Sequence, residues 1–209
     1  GLTERDDRGV RLLPDGRPLE IIVESTGEST EEADVLELMR DSLALAGIKL
    51  LTKPSQREVM RNRIYAGDCI MSISSGLENG VPNADMDPES LAPVHQINYQ
   101  WPKWGQYAET MGRMGEPVDM PEAKRLIDLR EQWYRATNTA DRRKIWHEML
   151  SINAEQVYTI GLISGVLQPI VVRNTLKNVP EKGIYNWDPG AHFGLYEPDS
   201  FWFVEEIAN

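Results

Sequence analysis

Leu19-Glu20-Ile21-Ile22-Val23-Glu24-Ser25 opens the stretch that decides the fold, and the pattern it starts runs to Gly76. The run is short and β-branched, as a strand is, and Ser29-x-x-Glu32 just beyond it has the form of a helix capping box. From that box Leu36, Met39, Leu43 and Ala46 recur at helical spacing up to Gly47, with Val35, Leu38 and Leu45 widening the stripe enough to lie on a sheet. Ile48-Lys49-Leu50-Leu51-Thr52 reads as a second strand. A second box, Ser55-x-x-Glu58, opens a shorter helix carrying Val59, Met60 and Ile64, which stops at Gly67-Asp68. The third strand runs from Cys69 to Ser75. Strands alternating with single helices imply right-handed crossovers and a locally parallel sheet covered by helices. Such sheets meet ligands at the carboxyl ends of their strands, so the residues after Ser75 are where a site is expected first.

On the amino-terminal side, residues 1–18 are charged and turn-rich, and Pro14-Asp15-Gly16 marks a turn in what reads as a lead-in. On the other side, Leu77 to Pro93 has no periodicity and reads as a long loop holding Glu78, Asp85 and Asp87. Loops of this length inside compact domains are usually functional or disordered. From His95 to Tyr107 the chain places Tyr99, Trp101, Trp104 and Tyr107 without a clean period, a density of aromatics expected outside regular structure. Pro121 at a first-turn position opens a helix with Ala123, Leu126, Ile127, Arg130 and Trp133 on one face. Thr139 is expected to cap another, with Ile145, Trp146, Met149, Leu150 and Ile152, and the short Thr137-Asn138-Thr139 link makes the pair an antiparallel hairpin. Tyr158 to Val166 is expected to run as a strand into a turn, with Pro169 to Arg173 as a second short strand. Residues 184–209 form a tail rich in aromatics, Gly and Pro.

The 209 residues, 41% hydrophobic and 26% charged, suffice for one large domain or a domain with an appendage. A net charge of −11 repels phosphate backbones and anionic membrane surfaces, which argues against nucleic acid as a partner. The most apolar tract, Ile160 to Val172, is interrupted by Gly161, Gly165 and Pro169 and is far shorter than the roughly 20 apolar residues of a membrane helix. A single cysteine, Cys69, forbids an internal disulfide and, lacking a local activator, reads as an inert core thiol. His95, His147 and His192 have no metal-ligand spacing, and neither a nucleophile elbow nor a phosphate loop is present. No catalytic set is visible, an enzyme domain stays open on the residues alone, and no metal or cofactor is expected. The opening Gly1-Leu2-Thr3-Glu4 lacks the marks of a signal, so the chain is expected to be processed or to be part of something longer.

The order of these pieces carries a resemblance. A lead-in Leu12-Leu13-Pro14-Asp15-Gly16-Arg17-Pro18-Leu19 precedes the first strand, a helix ends in Ala46-Gly47-Ile48, and a second ends in Ala66-Gly67-Asp68. A helical hairpin follows with Glu131-Gln132-Trp133 and Ala140-Asp141-Arg142-Arg143, then Gln168-Pro169-Ile170-Val171-Val172 and Asn178-Val179-Pro180. Together they resemble the C-terminal part of a family 5 extracellular solute-binding protein, the oligopeptide- and dipeptide-binding group that serves ABC importers. The resemblance implies an α/β lobe of the periplasmic binding protein type II kind, a βαβαβ core with a packed helical hairpin. It divides the chain into a lead-in at 1–18, a solute-binding lobe at 19–183 and a tail at 184–209 that returns toward the other lobe. It further implies a periplasmic or otherwise extracytoplasmic location, an ABC permease as partner and a small solute as ligand. Oligopeptides are the first expected solute, with oligosaccharides, opine-type solutes or a protein-interaction role on the same fold as alternatives.

In peptide-binding members the third strand leads to a Gly-Trp pair and then an Asp that holds the peptide's amino group. The matching stretch here, Ser72-Ile73-Ser74-Ser75-Gly76-Leu77-Glu78, lacks the Gly-Trp pair and offers Glu78 one position displaced. The candidate ligand-binding residues are therefore Glu78, Asp85, Tyr99, Trp101 and Trp104. For the acidic residues the competing role is a solvated loop. For the aromatics, a stacking platform competes with pinning the loop to the lobe.

Overall fold

The structure, a computed structural model, describes residues 1–74, 76, 83–184 and 194–204. Its first unit is a three-stranded parallel sheet of β1 (Glu20–Ser25), β2 (Lys49–Pro54) and β3 (Met71–Ser72), in the order β2-β1-β3. The register pairs Ile21 with Leu50 and Val23 with Thr52 on one side, and Val23 with Met71 on the other. Alternation along β1 then decides what each face meets. Val23 and Leu50 turn to α1 (Thr30–Ala46), where Leu36, Met39 and Leu43 close a small core with Ile21, Met71 and Ile73. Glu24 turns to the opposite face, where Arg63 of α2 (Arg57–Ala66) grips both of its carboxylate oxygens at 2.8–3.0 Å and Lys53 stands 3.7 Å away. The two helices thus cover opposite faces, as right-handed crossovers require.

The caps explain where these helices begin and end, with corrections to the expected stripes and boxes. Ser29 accepts from the Glu32 backbone N–H, and Gly47 and Gly67 each take a left-handed φ of 81° that ends the helix before it. The Ser55 box does not form: Gln56 occupies the cap position without a side-chain bond, and the Ser55 hydroxyl is buried without a partner. Along α1, Leu38 and Leu45 are exposed, so the apolar stripe is narrower than expected because only one sheet face lies against it. The lead-in packs at the far end of α1, where Arg5 and Arg11 donate to the carbonyl of Ala46. Cations there complement the negative end of the helix dipole.

The second unit is built on α3 (Pro102–Glu109), α4 (Pro121–Arg135) and α5 (Thr139–Gln156), with a single 3-10 turn at Glu89–Leu91. The antiparallel hairpin of α4 and α5 is as expected, although Asn138, not Thr139, is the cap, accepting from the Asp141 N–H. Helix α3 was not expected; Pro102 at its first position was the signal in the aromatic run. Gly105 lets α3 pack on the preceding backbone, since a Cβ there would lie 2.2 Å from the His95 carbonyl carbon. Leu126, Leu129, Trp133, Trp146 and Met149 of the hairpin bury against Leu91, Ala92 and Trp101.

Beyond α5 the structure departs from the sequence reading. Neither 158–166 nor 169–173 is a strand; instead β4 (Leu176–Lys177) pairs antiparallel with β5 (Trp202–Phe203). A β-branched run becomes a strand only where a partner supplies the ladder. Between 160 and 172 none does among the described residues, and Val166, Leu167 and Val171 stand exposed.

Candidate functional site

A cavity of about 380 Å³ opens at the carboxyl end of the sheet. Thr26 just beyond β1 and Ile73 and Ser74 just beyond β3 form its floor, because parallel strands end together there. Each strand-to-helix connection in such a sheet also delivers a helix amino terminus to that end. Glu28, Ser29 and Glu32 therefore enter from the start of α1, and Arg57, Met60 and Arg61 from the start of α2. Tyr99 closes one side, held edge-on to Tyr65 with ring centroids 6.4 Å apart and planes at 72°.

The charges around this cavity are largely matched. Arg57 and Glu28 form an ion pair at 2.6 Å. Arg61 lies 3.5 Å from Glu58, and the Tyr99 hydroxyl beside it holds the guanidinium above its ordinary pKa, with Glu58 adding to the effect. Glu32 does not complete its capping box: one carboxylate oxygen is buried without a hydrogen-bond partner. Burial pushes its pKa up, with Arg57 opposing and Glu28 assisting. What remains is a polar cleft with hydroxyls from Thr26 and Ser29, paired cations and anions, and apolar surface from Met60 and Ile73.

Of the residues singled out from sequence, Tyr99 lines this cavity. Glu78 lies outside the described residues. Asp85 is engaged by the hairpin, accepting from Thr139 at 3.1 Å and from Arg142 at 3.1 Å. Asp87 accepts two bonds from Arg130 at 2.8–2.9 Å and one from the Tyr134 hydroxyl. Burial raises the Asp87 pKa, but Arg130 and Tyr134 outweigh it and the net shift is downward.

The aromatics do not make one platform. Trp101 is 3% exposed and packs edge-on against Tyr158 at 5.0 Å, a core contact in place of an open stacking face. Trp104 is half-buried against the same core, and Tyr107 is partly exposed beside Gly112. The reason is α3: once Pro102 starts a helix, residues 101 and 104 fall on its inner face.

Thr26, Glu28, Glu32, Arg57 and Arg61 also line this cavity and were not singled out from sequence as candidates. Their signal was the pair of helix starts, which parallel connectivity brings to the same end of the sheet as the residues after β3. A second cavity of about 440 Å³ lies at the opposite end, between the lead-in and α1. Its cations are matched locally, Arg8 by Asp6, Arg40 by Glu37 and Lys49 by Glu20. Among the described residues no cluster of His, Cys, Asp or Glu could hold a metal ion, and no helix is long and apolar enough to cross a membrane.

No protein-family model matches the chain, and no curated protein sequence matches it. Solved structures do. The oligopeptide-binding protein OppA is 21% identical, with a TM-score of 0.68 over 96% of this chain and 33% of its own. The periplasmic binding protein MelB of Agrobacterium fabrum, in complex with stachyose, is 19% identical with a TM-score of 0.61 over 78% of this chain and 24% of its own. NikA from Brucella suis, in complex with Fe(III)-EDTA, is 18% identical with a TM-score of 0.55 over 76% and 28%. The chain thus spans a quarter to a third of the length of these structures, and what it shares with them is the α/β fold of periplasmic binding proteins.

Proposed function

We propose that this chain is one lobe of a longer, family 5 type solute-binding protein of an ABC importer, and that the cavity at the carboxyl ends of β1 and β3 is its share of the solute cleft. The observation that carries the reading is the coincidence of a cleft-sized cavity with the strand ends of a periplasmic binding protein fold. Such a protein captures a solute between two lobes, closes by a hinge and presents the closed form to its permease from the extracytoplasmic side. Its work is binding, not catalysis. The exposed apolar segment from Ile160 to Val172 supports the reading, since an uncovered run of this kind suits a surface that the remainder of a longer protein covers. On this reading residues 184–209 return toward the other lobe, and Tyr99 is the aromatic that meets the solute.

The fold leaves the solute class open: the similar structures are described with stachyose, with Fe(III)-EDTA and as oligopeptide-binding. Tryptophan-fluorescence and calorimetric titration of the full-length protein against pools of short peptides and of oligosaccharides tests the proposal. Saturable binding to the full-length protein, with weak or no binding to the isolated 209 residues, is the expected result, because a one-sided site forfeits most of the ligand's burial. Equal affinity for both would overturn the one-lobe reading.

A further inference from the structure

The cavity is assembled from both units of the fold: its floor and the two helix starts come from the sheet unit, whereas Tyr99 reaches it from the second unit. Tyr99 is anchored on its own side. The neighbouring Asn98 and Gln100 side chains donate to the Glu89 and Ser90 carbonyls of the 3-10 turn at 3.2 and 3.4 Å, and Trp101 is buried in the core of the hairpin. Where the Tyr99 ring stands over the sheet end is therefore decided where the units meet, and they meet at α2 and α3. Resting on the solute-cleft reading above, we propose that Gln106 of α3 is a positioning residue of that cleft: its bond to the carboxyl end of α2 sets Tyr99 against the sheet unit, and with it the width of the cavity.

Helix α2, like any helix, ends in carbonyls that no later turn of its own can reach. The Gly67 N–H turns back to Arg63 and Ile64 and the Asp68 N–H to Arg63, which leaves the Tyr65 carbonyl over. Gln106, 41 positions later and 7% exposed, donates its side-chain amide to that carbonyl at 2.8 Å. The bond resists sliding, because a shift of α3 along α2 would leave a buried amide and a helix carbonyl unpaired. Close packing supports it. With no side chain at Gly67, the Lys103 stem lies against the end of α2, where a Cβ would stand 3.3 Å from Cε.

Tyr65 carries this register to the site. It offers its carbonyl to Gln106 and its ring, at a steep angle and 6.4 Å between centroids, to Tyr99. The Tyr99 hydroxyl stands beside Arg61, one turn earlier on α2, so the ring is set against two successive turns of the helix that Gln106 holds.

The test places a ring-fluorinated tyrosine at position 99 alone, or at position 134 alone, in the full-length protein and records fluorine spectra without solute. Gln106→Met keeps the length of the side chain and loses the donor. It should move the resonance of Tyr99 beyond its linewidth and leave that of Tyr134, on the hairpin, in place. Tyr65→Leu, which keeps the backbone carbonyl and loses the ring, should move Tyr99 as well and reaches the same joint by a second route if Gln106→Met folds poorly. A calorimetric titration of the unlabelled variants with short peptides and with oligosaccharides follows. Gln106→Met should weaken saturable binding about tenfold, and by less than about twofold when Tyr99 is already alanine, the non-additivity of a residue that acts through another. An unmoved Tyr99 resonance, a Tyr134 resonance that moves as far, or losses at Gln106 and Tyr99 that simply add would each overturn the inference and leave the solute-receptor reading standing. Failure of the unaltered protein to bind any peptide or oligosaccharide would overturn that reading and with it a role for Gln106 in solute capture, while the solute-free spectra still decide whether Gln106 places Tyr99.

Discussion

The sheet unit at 19–74 and the loop-and-hairpin unit at 83–158 achieve burial by different means. In the first, three fully buried side chains, Val23, Leu36 and Leu50, make a core whose members follow from strand alternation and helical spacing. In the second, the core is larger and includes Trp101, Trp133 and Trp146, and it is organised by what the loop at 83–94 does. Trp133 donates its ring N–H to the Ala84 carbonyl at 2.7 Å, Trp146 donates to the Met86 carbonyl at 3.1 Å, and Asn153 donates to the Leu91 carbonyl at 3.2 Å. Asp85 and Asp87 add ion pairs to Arg142 and Arg130. A buried loop must satisfy its backbone carbonyls somewhere, and here tryptophan indoles from two helices do it. The lesson is a division of labour. The unit with the smaller, periodic core presents the candidate cleft, and the unit with the larger core locks the loop that leaves that cleft.

This contrast can be broken most severely at Trp133. Replacing it by Ala removes a large core side chain and orphans the Ala84 carbonyl, and should cost about 3–5 kcal/mol in denaturant unfolding. An unchanged midpoint would show that the loop is not held by the hairpin. Next, Gly105→Ala drives a Cβ into the His95 backbone, which cannot retreat as a side chain tip can, and should cost about 1–3 kcal/mol. Asn138→Ala removes the cap of α5 and should cost about 1 kcal/mol, with the sheet unit unaffected in amide exchange.

The sheet unit is probed in acid. The hydrogen bonds from Arg63 hold the Glu24 carboxyl below its ordinary pKa, burial opposes them, and Arg63 and Lys53 charges assist. Its folded pKa therefore lies under the unfolded value of about 4.3. The stability this pair contributes is present above that value and lost as pH falls through the folded one. Circular dichroism should show a steepening loss of stability below about pH 4, and Glu24→Gln should flatten that limb while leaving pH 6–8 without slope. An acid limb identical in the variant would remove Glu24 from the account. The smallest effect is expected at Tyr158, whose hydroxyl is buried beside Trp101 without a partner. Tyr158→Phe should change stability by less than about 1 kcal/mol, in the stabilising direction, since it deletes an unsatisfied polar group and little volume.

How far each part could be read from sequence follows the same division. The Ser29 cap, the glycine stops at 47 and 67, Pro121 and the hairpin link are local signals, and the elements they bound are present. The second box at Ser55 failed because a cap needs the serine side chain to face the helix start, and here its hydroxyl is enclosed elsewhere. The strands expected near 158–173 failed because propensity has no force without a ladder partner. For the candidate cavity, the sheet end at which it lies is the one the sequence marks as an expectation, and its lining is not legible there. Aromatic density pointed to Trp101 and Trp104, whereas Arg57, Glu28 and Glu32 looked like ordinary helix-start charges.

Sequence alone determined the βαβαβ order and the parallel sense of the sheet, because these rest on spacings of a few residues and on the handedness of crossovers. Tertiary structure decided which tryptophans are core, which aspartates are committed and which charges around the cavity cancel. Those outcomes join residues such as Asp85 and Arg142, 57 positions apart. No local period encodes such a pairing; it exists only once the hairpin has folded over the loop.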